Sequence, residues 1–283
     1  MKTIVITGAS DGIGAAAARR LHHDGHRVVV VGRSAEKTEA VARELGAEHF
    51  LADFTRLDEV RALARDLNAA YPRIDVLANN AGGVFRAAPK TVDGFEITFQ
   101  INHLAPFLLT RLLLENLIAS NATVIQTSSV GSRMAKRLDL GDLNNERDFS
   151  AVAAYNASKL ENILFTKELH RRFHPEGIST AAFHPGNIAT SFGSDTDSRI
   201  IKFIVTNPIA RSLLLSSPEK GAAQLVWLAE AHPGHDWESG AYYEKRKQPR
   251  RTNPLALHAK LARDLWERSE QLIGWPEQTR AFA

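Results

Sequence analysis

The chain has 283 residues, with 35 Lys and Arg against 32 Asp and Glu, so its formal net charge is only +3 at pH 7. Its 44% hydrophobic and 24% charged residues are typical of a globular protein and exclude disorder over most of its length. It contains no cysteine, which excludes a disulfide framework, thiolate metal sites and a cysteine nucleophile.

One basic segment, residues 245–251, holds five of the Lys and Arg residues, and the rest of the chain is close to neutral. A nucleic-acid-binding domain needs a basic face rather than one short segment, so we expect no nucleic-acid partner. The simplest interpretation of the segment is a solvated loop.

Short runs rich in Val and Ile alternate with longer amphipathic stretches along the chain. The predicted strands are Ile4–Ile6, Val28–Val31, Phe50–Ala52, Val76–Ala78, Val124–Gln126 and Ile178–Phe183. The predicted helices include Ile13–His23, Ala35–Leu45, Leu57–Ala70 and Ile101–Ile118. Such alternation is typical of parallel strands joined by right-handed crossovers. The sequence therefore predicts an α/β fold in one domain, residues 1–283: a Rossmann-type doubly wound parallel sheet with helices on both faces.

The predicted strand at Ile4–Ile6 leaves no room before it for a secretory leader. No apolar run reaches the length of about 18 residues that a membrane span needs. We therefore expect a cytoplasmic protein without a membrane span.

A glycine-rich turn, Thr7–Gly14, follows the first strand and opens the first helix. Gly8 permits a tight turn, Gly12 lets backbone amides approach a phosphate, and Gly14 permits close helix packing, while the helix N-terminus favours an anion. The spacing is G-x-x-x-G-x-G rather than the more familiar G-x-G-x-x-G of dinucleotide sites. The turn favours a dinucleotide site, although three glycines in such a turn also occur by chance.

Tyr155 and Lys159 lie four residues apart in a predicted helix and therefore share one helix face. A nearby ammonium group favours the phenolate and is expected to lower the tyrosine pKa from about 10 by roughly one to three units. That change would bring the phenol towards the range useful for general acid-base catalysis. Without further motifs, an exposed and solvated pair is the commoner explanation of this spacing.

Together these motifs resemble the short-chain dehydrogenase/reductase family over nearly the whole chain. The blocks that stand in the family's order are Thr7–Gly14, Asn79–Gly82, Ser128–Ser129, Tyr155–Lys159 and Pro185–Thr190. The resemblance implies an oxidoreductase that interconverts a carbonyl and an alcohol by hydride transfer to or from a nicotinamide cofactor.

By position, the resemblance implies four catalytic residues. Tyr155 would handle the proton, Lys159 would assist it, Ser129 would orient and polarise the substrate, and Asn102 would hold a water that links Lys159 to solvent. Ser128 competes with Ser129, because adjacent residues of an extended strand point to opposite sides and only one can face the nicotinamide. The Val-Gly pair that follows Ser129, as in the family, favours Ser129.

The resemblance also implies the cofactor site. Asp53 would meet the adenine, and Ile188 would bind the nicotinamide carboxamide through its backbone with Thr190 nearby. The cofactor-binding residues implied are Gly8, Ser10, Gly12, Ile13, Gly14, Arg33, Asp53, Asn79, Ala81, Gly82, Tyr155, Lys159, Pro185, Gly186, Ile188 and Thr190.

The end of the second predicted strand bears on cofactor choice. NAD-specific enzymes of this fold usually place there a carboxylate that binds the ribose hydroxyls and repels a 2′-phosphate. Gly32 stands at that place, and Arg33 follows with a guanidinium suited to a phosphate. We expect NADP(H) to be preferred over NAD(H), with a weaker contribution from Lys37 and an opposing one from Asp11.

Within the family, the stretch 143–165 and the tail motif Gly240–Tyr243 resemble the retinol-dehydrogenase-like branch. That branch tolerates the long interval of 26 residues between Ser129 and Tyr155. We expect no membrane anchor of the kind that many retinoid enzymes have, so retinol itself is not the expected substrate.

A mixed polar and apolar stretch, about 191–217, is interpreted as an apolar lid, and about 244–283 as a C-terminal extension. An ordinary pair of surface helices is the alternative for the lid. The lid favours a small apolar or amphipathic carbonyl or alcohol substrate.

Two other functions stay open: a catalytically silent dinucleotide-binding sensor or scaffold, and a nucleotide-sugar epimerase or dehydratase. The histidines at 22, 23, 26, 170 and 174 lack the pattern of a metal motif, so we assign no metal. The resemblance implies a homodimer or homotetramer as a family property.

Overall fold

Seven parallel strands form one sheet in the order β3-β2-β1-β4-β5-β6-β7. The computed structural model describes residues 1–85, 90–147, 149–186 and 217–276. The strands are Thr3–Thr7 (β1), Arg27–Gly32 (β2), Glu48–Leu51 (β3), Val76–Asn79 (β4), Thr123–Thr127 (β5), Ser179–His184 (β6) and Ala241–Glu244 (β7). This sheet confirms the predicted α/β fold class.

Helices cover both faces of the sheet. They are Gly12–His23 (α1), Ala35–Leu45 (α2), Leu57–Ala70 (α3), Ile97–Phe99 (α4), Ala105–Leu112 (α5), Leu114–Ala119 (α6), Ala151–Phe173 (α7), Pro218–Glu230 (α8) and Ala259–Leu272 (α9). Short 3₁₀ turns occupy Val130–Met134, His174–Glu176 and Pro254–Leu257.

The strands read as continuous apolar runs because both faces of the sheet are covered. Along β1, Val5 belongs to the core under α3, α5, α7 and α9, whereas Ile4 and Ile6 belong to the core under α1 and α8. All three side chains are fully buried. Alternation of side chains across the strand thus divides one run between two cores.

The structure differs from the sequence prediction at two elements. The helix expected over Ile101–Ile118 is a π-helical turn at Gln100–Leu104 followed by α5 and α6, which a break at Leu113 separates. The seventh strand, β7, was not among the predicted strands, because only four residues, Ala241–Glu244, pair with β6 there.

The C-terminal part of the described chain adds α9 against α7. Trp266 of α9 is buried, and its ring lies 4.9 Å from that of Phe107 and 5.7 Å from that of Phe165. The predicted lid lies outside the described residues except for Ser217.

Candidate active site

A cavity of about 220 Å³ opens at the carboxyl ends of the parallel strands. Doubly wound sheets bind their ligands at this edge. The cavity is lined by Gly8, Asp11, Gly12, Ile13, Asn80, Ala81, Gly82, Thr127, Ser128, Ser129, Tyr155, Lys159, His184, Pro185 and Gly186. It therefore joins the glycine-rich turn to the predicted catalytic residues.

The glycine-rich turn packs so closely on its neighbours that there is no room for a side chain at Gly8 or Gly14. Gly8 has φ +64°, and a Cβ there would lie 2.8 Å from Ala81 Cα. A Cβ on Gly14 would lie 2.2 Å from the Gly8 carbonyl oxygen. The start of α1 consequently lies directly against the end of β1, and its first two residues, Gly12 and Ile13, line the cavity.

Thr7 and Asn80 fix the ends of β1 and β4 relative to each other. The Thr7 hydroxyl oxygen accepts hydrogen bonds from the backbone amides of Asn80 and Ala81, each at 3.0 Å. The Asn80 side-chain amide donates to the Thr7 carbonyl at 3.0 Å. Asn79, which the sequence assigned to the cofactor site, instead points into the core, where its side-chain amide donates to the Thr110 hydroxyl at 3.0 Å.

The structure brings Ser129 and Tyr155 together. Both residues line the cavity, and a Cβ on Gly131 would lie 3.3 Å from Tyr155 Cε1 and 3.5 Å from Ser129 Oγ. Ser129 Oγ accepts from the Gly131 amide at 3.1 Å. The Ser128 hydroxyl is buried and donates to the Lys159 carbonyl at 2.6 Å. The two serines thus have different partners, and Ser129 is the one whose hydroxyl lies near Tyr155 beside Gly131.

Lys159 is buried beside Tyr155, with its ammonium 5.5 Å from the centre of the tyrosine ring. The ammonium donates to the Thr127 carbonyl at 3.0 Å. Burial lowers the pKa of Lys159 from 10.5 to about 8. The lysine can therefore gain or lose its proton close to neutral pH.

The expected lowering of the tyrosine pKa is wrong for this structure. Burial raises the pKa of Tyr155 from 10.0 to about 12, and the hydrogen bond from Ser129 opposes that rise only in part. The physical reason is that burial of the phenol among the surrounding protein atoms disfavours the charged phenolate. Tyr155 is therefore a phenol at neutral pH.

Asn102 sits in the π-helical turn Gln100–Leu104, and this geometry lets its side chain bridge two segments. Its carbonyl oxygen accepts from the Gly83 amide at 2.8 Å, and its amide donates to the Gly83 carbonyl and to Ser158 Oγ, both at 2.9 Å. Such π-turns occur frequently at functional sites. The side chain does not contact the cavity directly, but Gly82, which does, lies between it and Lys159.

The end of β2 carries the residues predicted to choose the cofactor. Arg33 is exposed, as expected for a residue that would meet a phosphate. A Cβ on Gly32 would lie 2.3 Å from Thr38 Oγ1 and 2.9 Å from Ser10 Cβ, so this position excludes a carboxylate side chain.

Asp11 and Lys37 form an exposed ion pair near this end of the cavity. One Asp11 carboxylate oxygen accepts from the Gly12 amide at 2.7 Å, and the other accepts from the Lys37 ammonium at 2.8 Å. Both contacts hold the pKa of Asp11 below its ordinary value, the lysine contributing most. Lys37, which the sequence predicted to assist phosphate binding, is therefore paired with Asp11 in this structure.

The other residues that the resemblance assigned to the cofactor site differ in how they lie relative to the cavity. Asp53 does not line the cavity; it accepts from the Thr55 amide at 3.0 Å, and its own amide donates to Glu59 at 2.7 Å. Pro185 and Gly186 line the cavity, whereas Ile188 and Thr190 lie outside the described residues.

Sequence reasoning missed His184 and Thr127. His184 ends β6 and lines the cavity, its Nδ1 is buried without a hydrogen-bond partner among the described residues, and burial lowers its pKa. Thr127 ends β5 and supplies the carbonyl that holds Lys159. Both residues directly follow a predicted strand, and this position could have identified them, because the carboxyl ends of parallel strands lie at one edge of the sheet.

Within residues 1–85, 90–147, 149–186 and 217–276, no group of three or more His, Asp or Glu side chains is arranged to hold a metal ion. None of the helices in these ranges is both long and apolar enough to cross a membrane.

Comparisons with known proteins agree with the motifs. A model of the family described as "short chain dehydrogenase" matches residues 2–200. A Streptomyces sp. (strain C5) protein named "Putative daunorubicin C-13 ketoreductase DnrU" is 44% identical over 96% of this chain and 93% of its own length. Human "Retinol dehydrogenase 13" is 38% identical over 96% of this chain and 85% of its own length.

Solved structures are similar as well. The crystal structure of a protein from Mycobacterium Paratuberculosis has a TM-score of 0.77 and 33% identity, covering 98% of this chain and 95% of that one. The "Pseudomonas aeruginosa RhlG/NADP active-site complex" has a TM-score of 0.67 and 25% identity, covering 85% of this chain and 93% of that one.

Proposed function

The chain belongs to the short-chain dehydrogenase family, in its retinol-dehydrogenase-like branch, and is an oxidoreductase of carbonyl and alcohol groups; we propose that it uses NADP(H) and that Tyr155 transfers the proton. The observation that carries this proposal is the single cavity in which the glycine-rich turn meets Ser129, Tyr155 and Lys159. A catalytically silent binding protein would not require these side chains at one end of its cofactor cavity.

The residues present fit a dinucleotide. Gly8 and Gly12 place no side chain of their own against the cavity, and the positive end of α1 favours a pyrophosphate. Exposed Arg33 would bind a 2′-phosphate, and Gly32 supplies no carboxylate to repel it. The bound nicotinamide would supply or accept the hydride.

Ser129 would orient the substrate oxygen, since its hydroxyl and the Tyr155 side chain lie near each other in the wall of the cavity. Tyr155 would donate its proton to that oxygen during carbonyl reduction and take it back during alcohol oxidation. The phenol is the protonated form that reduction consumes. Lys159 would then replace the proton, because its pKa of about 8 allows exchange near neutrality.

Asn102 would act as a positioning residue rather than by contact with the substrate. Its three hydrogen bonds hold Gly83 and Ser158 in place. Together with Gly82, they fix the wall against which Lys159 lies. A water held there would complete the proposed proton path to solvent.

The first test is reduction of a panel of aldehydes and ketones, followed by the loss of NADPH absorbance. Tyr155→Phe should abolish turnover while leaving the NADPH Kd within a few-fold of wild type, because the hydroxyl handles the proton and does little to hold the dinucleotide. Tyr71→Phe is the control, since Tyr71 is also buried but hydrogen-bonds Glu48 on β3. If Tyr155→Phe keeps most of the wild-type rate, the proposed proton transfer is wrong.

Cofactor choice is tested by titrating NADPH and NADH into wild type and Arg33→Ala. A hydrogen bond to a charged group is worth about 1.5–3 kcal/mol, so Arg33→Ala should weaken NADPH binding by roughly one to two orders of magnitude and leave NADH binding unchanged. Arg43→Ala, an exposed arginine on α2, should change neither. Equal wild-type affinity for the two cofactors would disprove the preference.

A further inference from the structure

A second cavity, of about 550 Å³, adjoins the active-site cavity and shares His184, Pro185 and Gly186 with it. We call it the basic pocket; its lining residues are Val130, His184, Pro185, Gly186, Lys220, Ala223, Gln224, Glu244, Lys245 and Arg246. It includes the beginning of the basic segment that the proposed oxidoreductase chemistry does not use.

The charges around the basic pocket are unbalanced. Lys220, Lys245 and Arg246 face one carboxylate, that of Glu244. Glu244 already accepts from the Arg133 guanidinium at 2.7 Å. In the part of the chain that the structure describes, no ion pair involves any of the three cations that line the pocket. Their fields therefore add in the pocket and favour an anion.

Lys245 and Arg246 are held in an unusual backbone conformation. Their φ angles are +51° and +61°, and reciprocal backbone hydrogen bonds between Glu244 and Lys247, at 2.9 and 3.0 Å, close the turn around them. A two-residue turn with two positive φ angles normally contains Asn-Gly. Two long basic side chains occupy it here at a cost of about 1 kcal/mol or more each, which is typical of functional positions.

A buried glutamine fixes this turn beside the active site. Gln224 accepts from the Arg246 amide at 2.7 Å and donates to the carbonyls of Tyr243 at 2.9 Å and His184 at 3.2 Å. One side chain thus links α8, the end of β6 and the basic turn. The turn is preorganised, which lowers the entropic cost of binding a ligand.

We propose that the basic pocket binds a carboxylate at the far end of the substrate, so that the enzyme acts on oxo acids or hydroxy acids with an apolar spacer. This inference rests on the proposed oxidoreductase function. Val130, Pro185 and Ala223 would contact the spacer. A monoanion fits better than a phosphate dianion because Glu244 also faces the pocket.

The test uses 5-oxopentanoate, 9-oxononanoate and their methyl esters as matched charged and neutral aldehydes, with NADPH. Wild type should show at least a ten-fold higher kcat/KM for one of the acids than for its ester, through KM, as expected for one or two charge-assisted hydrogen bonds. Equal kcat/KM for each acid and its ester would overturn the proposal.

The decisive variant is Lys245→Asn/Arg246→Gly, which removes both charges and installs the residues that the turn prefers. It should reduce the ratio of acid to ester to within about two-fold, while the kcat/KM for the esters and the NADPH Kd stay unchanged. Lys247→Gln is the matched control, because Lys247 belongs to the same turn and is not among the pocket residues. Retention of the acid preference in the double variant would refute the assignment.

Calorimetric titration of octanoate and octanamide separates this inference from the proposed function, because it needs no turnover. Octanoate should bind wild type at least ten-fold more tightly than octanamide, and the double variant should lose that difference. If it does so in a protein that reduces no carbonyl, the pocket is supported and the proposed function fails. If reduction occurs but octanoate binds no better than octanamide, the pocket assignment fails alone.

Discussion

Replacing Lys159 by methionine should stabilise the folded protein at neutral pH while destroying its activity. The ammonium is buried, and burial lowers its pKa from 10.5 to about 8. At about 1.36 kcal/mol for each pKa unit, keeping this charge in the folded protein below pH 8 costs roughly 3 kcal/mol. Methionine has a similar shape and no charge to desolvate.

The loss of a hydrogen bond offsets only part of this gain. Lys159 donates to the Thr127 carbonyl at 3.0 Å, a contact worth about 1 kcal/mol. The side-chain amide of Asn162 also donates to that carbonyl, at 3.2 Å, so the carbonyl keeps a partner. The free energy of unfolding should therefore rise by about 2 kcal/mol at pH 7.

The pH dependence of the free energy of unfolding tests the role of the buried charge more directly. A lowered folded-state pKa means that the unfolded chain binds more protons between pH 8 and 10.5, so the stability of wild type rises with pH across that window. The difference in the free energy of unfolding between Lys159→Met and wild type should accordingly be constant below about pH 8 and decrease from pH 8 to 10.5.

Urea unfolding followed by tryptophan fluorescence at pH 6, 7, 8.5 and 10 measures this difference. Lys220→Met, at an exposed position of α8, is the control and should change stability by less than about 0.5 kcal/mol at every pH. A Lys159→Met protein less stable than wild type at pH 7, or a difference independent of pH, would refute the reasoning.

Three further predictions concern the same cavity. Asp11→Asn releases Lys37 from its ion pair and removes a negative charge near the expected phosphate, so the NADPH Kd should fall several-fold in fluorescence titrations while the NADH Kd changes less; an unchanged NADPH Kd would count against this. The kcat/KM for carbonyl reduction should decrease above about pH 8 as Lys159 loses its proton, and a flat profile from pH 6 to 9.5 would contradict the proposed role. Gly14→Ala should abolish cofactor binding, because its Cβ would lie 2.2 Å from the Gly8 carbonyl oxygen, and near-native calorimetric binding would be inconsistent with the turn geometry.

The fold class and the shared helix face of Tyr155 and Lys159 could be predicted because they depend on local patterns. Apolar runs such as Val28–Val31 mark strands that are buried on both faces, and the four-residue spacing of Tyr155 and Lys159 places both on one helix face. The tyrosine pKa could not be predicted, because it depends on how completely the surrounding elements enclose the phenol. The spacing showed that a cation lay nearby, whereas the burial that raises the pKa of Tyr155 is a property of the assembled fold.

The direction of the Asn79 side chain and the existence of β7 could not be predicted for a related reason. Of two adjacent asparagines, only one can face the cavity, and the one that does, Asn80, is selected by hydrogen bonds to Thr7 across two strands. The strand β7 is set by its pairing with β6 rather than by its own four residues. Contacts between segments distant in sequence decide both outcomes, and a local pattern carries no information about them.

Three departures from ordinary structural preference lie at one edge of the sheet. Lys159 is buried at the end of β5, His184 keeps an unpaired ring nitrogen at the end of β6, and Lys245 and Arg246 adopt positive φ angles after β7. Each feature costs stability, and the well-packed strands and helices behind this edge offset that cost. Because such exceptions persist mainly where function requires them, their arrangement along three neighbouring strand ends favours one extended substrate site over two unrelated pockets.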